Sequence, residues 1–415
     1  MNAAILAVGT ELLRYGKLDT NGDWLAERLL RAGVRVDLRA AIGDDDAAIA
    51  RLVVHALGAC DLVLLTGGLG PTEDDRTREA IAIAAGRTLE RDEEVERTLR
   101  ARFAERGAPF LPMQSRQADR PRGALWIANP LGSAPGFALS LSGRLVVALP
   151  GVPAEMRAMF EADVLPRLGA AGGIARRSLR VAGRTESSVE EALRDLYGAE
   201  GVEVTILSGR QGVDLHLLAE GPSQAEALER VRRVERRMAE RLGPDLYGYD
   251  DDTLAAVVGR ALVAVGSTVA VAESCTGGLL AAALTSVPGS SAWFRGGFVA
   301  YANDLKIRMC GVGAELLAAE GAVSEAAVLA LARGARERAT ADLGVAVSGI
   351  AGPGGGTPEK PVGLVHVALA DSARARAWTT RWVGDRDLVR ARAVTFALDR
   401  IRRWLGAVGS GASDR

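Results

Sequence analysis

The stretch Thr268-Val269-Ala270-Val271-Ala272-Glu273-Ser274-Cys275-Thr276-Gly277-Gly278 decides the fold of this chain. Small and β-branched residues at its start spell a short buried strand, and the paired glycines open a helical run over Leu279 to Leu284. A strand that turns tightly into a helix is the repeating unit of an α/β domain. It lifts Ser274 out of the sheet beside a row of backbone N–H groups. A serine so placed suits a nucleophile, but it is weak without a base. The three histidines, His55, His216 and His366, are all remote from the turn in sequence. Lys306, in Phe298-Val299-Ala300-Tyr301-Ala302-Asn303-Asp304-Leu305-Lys306, is the nearest other candidate. A lysine desolvated beside a sheet gives up its proton more readily. The same residues also read as a helix cap and a solvated surface lysine, and the motif shape alone leaves the two readings level.

Composition bounds what surrounds this turn. A chain of 415 residues suggests two or three domains, and 48% hydrophobic with 25% charged residues is the balance of a globular protein. Lys and Arg number 51 against 52 Asp and Glu, so there is no general attraction to nucleic acid or to an anionic membrane. Cys60, Cys275 and Cys310 have neither metal-ligand spacing nor an even disulfide set. They fit a reducing compartment, and with no basic leader and no apolar run of membrane length the expected location is the cytoplasm.

The first third, residues 1–168, alternates strands and helices. Ala4 to Val8 reads as a strand leading into Gly9-Thr10-Glu11-Leu12. Lys17-Leu18-Asp19-Thr20-Asn21 precedes a helix carrying Trp24, Leu25, Leu29 and Leu30. Val34 to Leu38 is a strand, and Asp44 to Ala47 starts a helix. Asp61 to Leu65 is a continuous apolar strand of the kind buried on both faces of a parallel sheet. It delivers Thr66-Gly67-Gly68-Leu69-Gly70-Pro71-Thr72-Glu73-Asp74-Asp75. Glycines there let backbone approach an anion, and Asp74 and Asp75 are oxygen ligands suited to Mg²⁺ with phosphate. A glycine-rich turn with two capping aspartates is the plainer alternative. Later, Arg144 to Leu149 is a strand, and Pro150-Gly151-Val152-Pro153 opens a helix.

The middle, residues 175–246, is a small α+β module. It has a strand over Arg177 to Val181, a capping box at Ser187 to Glu190, and a strand pair over Val202 to Leu207 and Val213 to Leu218 turning through Ser208 to Gly212. A helix capped at Ser223 follows, with arginines interleaved by glutamates, the pattern of a solvated face. Leu246 to Asp252 reads as an acidic linker. The last third, residues 253–405, begins with a helix over Thr253 to Val263 and contains the Ser274 turn. It continues with a helix capped by Ser324, a strand over Asp342 to Val347, and the loop Ser348-Gly349-Ile350-Ala351-Gly352-Pro353, with Lys360 beyond it as a cation for a phosphate. Arg386 and Arg390 open the terminal helix, where basic residues oppose the helix dipole, so an anion or a partner chain is expected near them. From Gly406 onward the chain reads as a frayed tail.

Together these motifs resemble the CinA (competence/damage-inducible protein A) family over almost the whole chain. The first third is similar to its molybdopterin-binding-like domain, a three-layer parallel-sheet fold. The middle resembles its KH-type module, and the last third resembles nicotinamide mononucleotide deamidase, an α/β fold. Tyr15 stands in Leu13 to Lys17, a stretch one residue longer than in many members. The resemblance implies a bifunctional hydrolase. The last third would convert nicotinamide mononucleotide to nicotinate mononucleotide and ammonia without a cofactor, with Ser274, Lys306 and Tyr301 catalytic. Thr276, Gly277, Gly278, Asn303, Ser348, Gly349 and Gly352 would contact substrate, with the oxyanion held by N–H groups around Thr276 to Gly278. The first third would hydrolyse ADP-ribose with a divalent metal, Mg²⁺ or similar, held near Asp74 and Asp75. Gly9, Glu11, Asp19, Asn21, Thr66, Gly67, Gly68, Gly70 and Thr72 would contact the nucleotide. A homodimer is expected, with no membrane role, and the neutral charge speaks against nucleic acid as a ligand. Two alternatives stay open: a molybdenum-cofactor-type binding protein, or a competence and recombination partner without hydrolase activity.

Overall fold

Six strands order the first third into one sheet: Arg35–Ile42, Asn2–Val8, Leu62–Thr66, Arg144–Leu149, Gly136–Leu141 and Leu125–Ile127. This is a computed structural model, and it describes residues 1–168, 173–209 and 212–410. The first four strands run parallel; Gly136–Leu141 is antiparallel to both its neighbours. Leu62–Thr66 is buried at every residue because helices cover both faces. On one face Val63 and Leu65 pack with Ile49 and Val53 of the helix Asp46–Ala59 and with Ile81 of Thr77–Ala85. On the other, Leu62 and Leu64 pack with Leu25 and Leu29 of Thr20–Arg31 and with Met156 and Met159 of Pro153–Met159. The helix expected from Asp44 starts at Asp46, since Asp45 is the residue whose carboxylate accepts from Ala48 N at 2.7 Å.

The middle module is a sheet in the order Val202–Gly209, Gly212–Gly221, Gly173–Val181, Leu246–Tyr249, with the helices Glu186–Leu193 and Gln224–Leu242. Part of the expected turn, Arg210 and Gln211, lies outside the described residues. Two expectations are corrected here. The cap of the first helix is Thr185, which accepts from Ser188 N, two residues before the expected serine box. The stretch read as a linker is instead a strand, antiparallel to Gly173–Val181. Two acids of its run are paired: Asp250 accepts from Arg177 and from Ser178 N, and Asp252 from Arg260.

The last third holds another sheet, ordered Phe294–Val299, Val269–Glu273, Leu343–Gly349, Leu364–Ala370, Ala375–Arg381. The first three strands are parallel and the last two antiparallel to their neighbours. Val271, Val345 and Val347 face a core with the helices Leu254–Ala264 and Arg386–Ser410, whereas Ala272 and Ala346 face the helices Asn303–Cys310 and Glu325–Arg338. The terminal helix runs through Gly406 to Ser410, where fraying was expected. By contacts the chain divides into two compact units, one of Met1–Ala175 with Ala219–Glu229 and the other of Arg176–Leu218 with Arg230–Arg415. Among the described residues, no helix is long and apolar enough to cross a membrane.

Candidate active sites

Strand register brings the motifs of the last third to one sheet edge. Val269–Glu273 pairs in parallel with both neighbours, placing Glu273 level with Val299 on one side and Val347 on the other. The next residues are therefore adjacent as well: Ser274, Ala300 with Tyr301, and Ser348 with Gly349. Ser274 N donates to Val347 O at 2.9 Å, which pins the turn to the sheet. This is the carboxyl edge, where ligands bind in folds of this kind.

Glu273 organises the turn, a role its sequence position did not reveal. Its buried carboxylate accepts from Gly278 N (3.0 Å), Leu280 N (3.0 Å) and Ala281 N (2.7 Å). It thus caps the helix Leu279–Thr285 from the strand side and offsets the positive end of the helix dipole. Gly277 N donates to Ser274 O at 3.2 Å. The amides of Gly277 and Gly278 are therefore committed within the turn. The Thr276 amide has no partner among the described residues and the Cys275 amide meets only its own thiol, so the available donors lie nearer Ser274 than expected. Gly277 and Gly278 both adopt positive φ, at +61° and +96°, a cost that only glycine avoids.

Lys306 is 1% exposed, on the first turn of Asn303–Cys310. Burial lowers its pKa from the ordinary lysine value, and the nearby Cys275 and Cys310 sulfurs oppose that only in part. Its Nζ donates to Tyr301 O at 2.8 Å. Cys310 shares a core with Ala272, so the lysine helix packs on the sheet face to which Ala272 points. Burial also pushes the Cys275 thiol up to about 12, leaving it protonated and a poor competitor for the role of Ser274.

The Tyr301 side chain is 58% exposed, and its hydroxyl accepts from Arg386 Nη2 at 3.0 Å. Arg386 Nη1 donates to Gly352 O at 2.8 Å, and Arg390 Nη2 to Thr276 O at 3.0 Å. The two arginines thus gather the tyrosine, the Gly352 loop and the Ser274 turn. Sequence reading flagged them as an anion site but did not join them to the serine. Thr276 Oγ1 is buried without a hydrogen-bond partner among the described residues. Lys360 has a local partner: its Nζ donates to Glu320 O, at the carbonyl end of a helix. Ser348 is likewise committed, its Oγ donating to Ala322 O at 2.7 Å. Asn303 is exposed at the helix start, and Gly349 pairs with Val365.

In the first third, the loops after Asn2–Val8, Leu62–Thr66 and Arg144–Leu149 surround a cavity of about 540 Å³. Gly9, Glu11, Asp19, Asn21, Thr66, Gly67, Gly68, Gly70, Asp74 and Asp75 all face it; Thr72 does not. Asn21 Nδ2 donates to Thr66 Oγ1 and to Gly151 O, both at 2.9 Å, so it ties three loops together. Asp19 caps Thr20–Arg31 through Gly22 N at 2.8 Å. At Gly67, with φ +101°, an added Cβ would lie 2.2 Å from Val8 O, so two strand ends can approach only through glycine.

The glycine-rich loop is braced from both sides. Asp75 accepts from Gly70 N (2.7 Å), Thr72 N (2.8 Å) and Thr72 Oγ1 (2.5 Å). Arg78, 2% exposed, donates to the carbonyls of Leu69 and Gly70, and burial lowers its pKa to about 10. The sequence offered no sign of this buried arginine beyond its helical position. Asp75 is thus first a loop residue, while Asp74 is exposed and makes no hydrogen bond or ion pair among the described residues. The cavity wall carries Glu11, Asp19, Asp44, Asp74, Asp75 and Glu155 against one lysine, Lys17. A diphosphate there would meet net repulsion, so the donor set fits a divalent cation accompanying it. No group of three or more His, Cys, Asp or Glu side chains able to hold a metal occurs among the described residues.

Residues 4–170 match a probable molybdopterin binding domain, residues 176–248 the damage-inducible protein CinA KH domain, and residues 251–405 the CinA C-terminal domain. A putative competence-damage inducible protein of Symbiobacterium thermophilum is 44% identical, covering 98% of this chain and 99% of its own. A CinA-like protein of Parasynechococcus marenigrum is 46% identical over 97% of each. Among solved structures, competence/damage inducible protein CihA from Agrobacterium tumefaciens is similar at 43% identity, over 37% of this chain and 97% of that one, with a TM-score of 0.36.

Proposed function

The chain belongs to the CinA family, and from that premise we propose that it is a bifunctional hydrolase of pyridine-nucleotide recycling. Its last third deamidates nicotinamide mononucleotide and its first third cleaves ADP-ribose to AMP and ribose 5-phosphate. The observation that carries the first activity is the buried, desolvated Lys306 beside the Ser274 turn. Desolvation keeps a fraction of its amine neutral, the form that can take a proton.

In this reading Lys306 accepts the Ser274 proton as Ser274 Oγ attacks the carboxamide carbon. The amides of Cys275 and Thr276, neither tied to another residue, hold the developing oxyanion, the kind of contact that dominates acyl transfer. Lys306 returns the proton to the leaving nitrogen, and ammonia departs. Water, with Lys306 again as base, then releases nicotinate mononucleotide. Tyr301 contributes its carbonyl to orient the amine, while its hydroxyl and Arg386 border the Gly352 loop, the proposed phosphate end.

For the first third, Asp74 is the residue free to hold a divalent cation, and Asp75 shapes the loop beneath it. A bound cation supplies neutralisation of the diphosphate charge. Asn21, Thr66 and the Gly67–Gly68 backbone bind and orient the nucleotide. The test is to assay the purified chain with each nucleotide, with and without chelator. Ammonia release should survive chelator and vanish in Ser274→Ala and Lys306→Met. Cleavage of ADP-ribose should show the opposite pattern. Ammonia release that persists in both variants would discard the serine–lysine pair.

A further inference from the structure

Within the unit that holds the deamidase fold, a second cavity of about 390 Å³ lies away from the Ser274 turn. That volume is within the ~300–1,000 Å³ range of small-molecule sites. One wall is the terminal helix Arg386–Ser410, and Arg392, Phe396, Asp399 and Arg400 recur along it at the spacing of one helix face. Across from them stand Thr380 and Trp382 of the sheet edge and Arg184 of the middle module.

The charge balance of this cavity is uneven. Asp399, 1% exposed, accepts from Arg400, Arg402 and Arg403, and Asp245 accepts from Arg184 and Arg403. Two carboxylates therefore serve four guanidinium groups. Arg392 then faces the same space with no ion pair or hydrogen bond among the described residues. Arg400 Nε is buried and has no hydrogen-bond partner among the described residues. Asp245 is not on the wall, and the one acid there besides Asp399, Glu186, is exposed. Partly desolvated positive charge without a counter-charge is costly, and an anion relieves it. The walls also offer a ring surface: Trp382 and Phe396 meet edge to face at 5.8 Å, and the Arg400 guanidinium lies 4.9 Å over Phe396. Rings and guanidinium planes of this kind accept a flat base by stacking.

We propose that this cavity binds a small anion bearing a planar ring, of nucleoside-monophosphate type, with Arg392 and Arg400 on the phosphate and Trp382 beside the base. The site is separate from Ser274 and does not depend on the deamidase reading.

Titration calorimetry on the full-length protein tests it, with AMP and inorganic phosphate as probes. A Ser274→Ala, Asn21→Ala background weakens the two candidate active sites, so that the cavity is read on its own. AMP is expected to bind at least tenfold more tightly than phosphate. Arg392→Ala should weaken both probes by at least tenfold, and Trp382→Leu should weaken AMP while sparing phosphate. Thermal melting of each variant without ligand identifies any loss of fold, and Arg392→Lys, which keeps the charge, should restore part of the phosphate affinity. Unchanged AMP affinity in a folded Arg392→Ala protein overturns the site. Equal affinity for the two probes overturns the ring contact.

Discussion

Lys306 Nζ donates to the carbonyl oxygen of Tyr301 at 2.8 Å, so these two residues are joined through the main chain and not through the phenol. The phenol instead accepts from Arg386. Tyr301 therefore positions the amine by a contact that any residue at 301 could make. Tyr301→Phe is expected to cost less deamidase activity than Lys306→Met. Loss of the general base should remove roughly 10²–10⁴-fold in kcat. Steady-state kinetics on both variants checks the order, and equal losses would assign the tyrosine hydroxyl a part in proton transfer.

The direction of the Lys306 shift sets a pH profile. Its folded pKa lies below the ordinary lysine value because burial disfavours the charge. Deamidase kcat/KM should rise with pH up to that folded pKa and then level off. The sign for stability is the same. The unfolded chain keeps the proton to higher pH, so the cost of burying the ammonium is full below the folded pKa. It is relieved as pH rises toward the unfolded value. Lys306→Met should remove both dependences, read by initial rates and by melting across alkaline pH.

Glu273 is expected to be structural in effect and catalytic in consequence. Each charge-assisted hydrogen bond it accepts contributes about 1.5–3 kcal/mol, and Glu273→Ala leaves three amides at the helix start without that acceptor. The variant should melt several degrees lower and lose deamidation together with fold. Glu273→Gln, which retains one carbonyl acceptor, should fall between it and the wild type.

In the first third, Asp74 and Asp75 should separate. Asp75→Asn disturbs a loop whose amides and Thr72 hydroxyl it holds, so it should lower both melting temperature and ADP-ribose cleavage. Asp74→Asn touches no internal partner. It should leave melting unchanged and raise the Mg²⁺ concentration needed for half-maximal rate. A wild-type metal requirement in Asp74→Asn would remove it from the ion.

Arg78 offers a test independent of metal. Arg78→Lys keeps a cation but loses the planar fork that spans the Leu69 and Gly70 carbonyls. A drop of roughly 1–3 kcal/mol in stability is expected from the unsatisfied buried groups. It should appear in denaturant unfolding along with weaker ADP-ribose binding.

The elements were legible where local pattern governs them. Leu62–Thr66 shows itself by five consecutive core residues, and the Ser274 turn by a strand running into two glycines that take positive φ. Those features depend on the chain's own neighbours, and a sequence carries neighbours explicitly. The converging loops followed too, since parallel strands must end at a common edge. The differences share one cause. Leu246 to Asp252 reads as a linker because its acids look solvated, yet Leu246–Tyr249 is a strand and Asp250 pairs with Arg177, far off in sequence. Lys360 reads as a cation open to phosphate, yet its Nζ donates to the Glu320 carbonyl. Sequence alone determined the strands, the glycine turns and the candidate nucleophile with its lysine. Tertiary structure alone decided which amides stay open beside Ser274, how far Lys306 is desolvated, and which loops Arg386, Arg390 and Arg78 hold. Hydrogen-bond partners and burial are set by residues that meet only after folding, and those determine whether a polar group is spent or available.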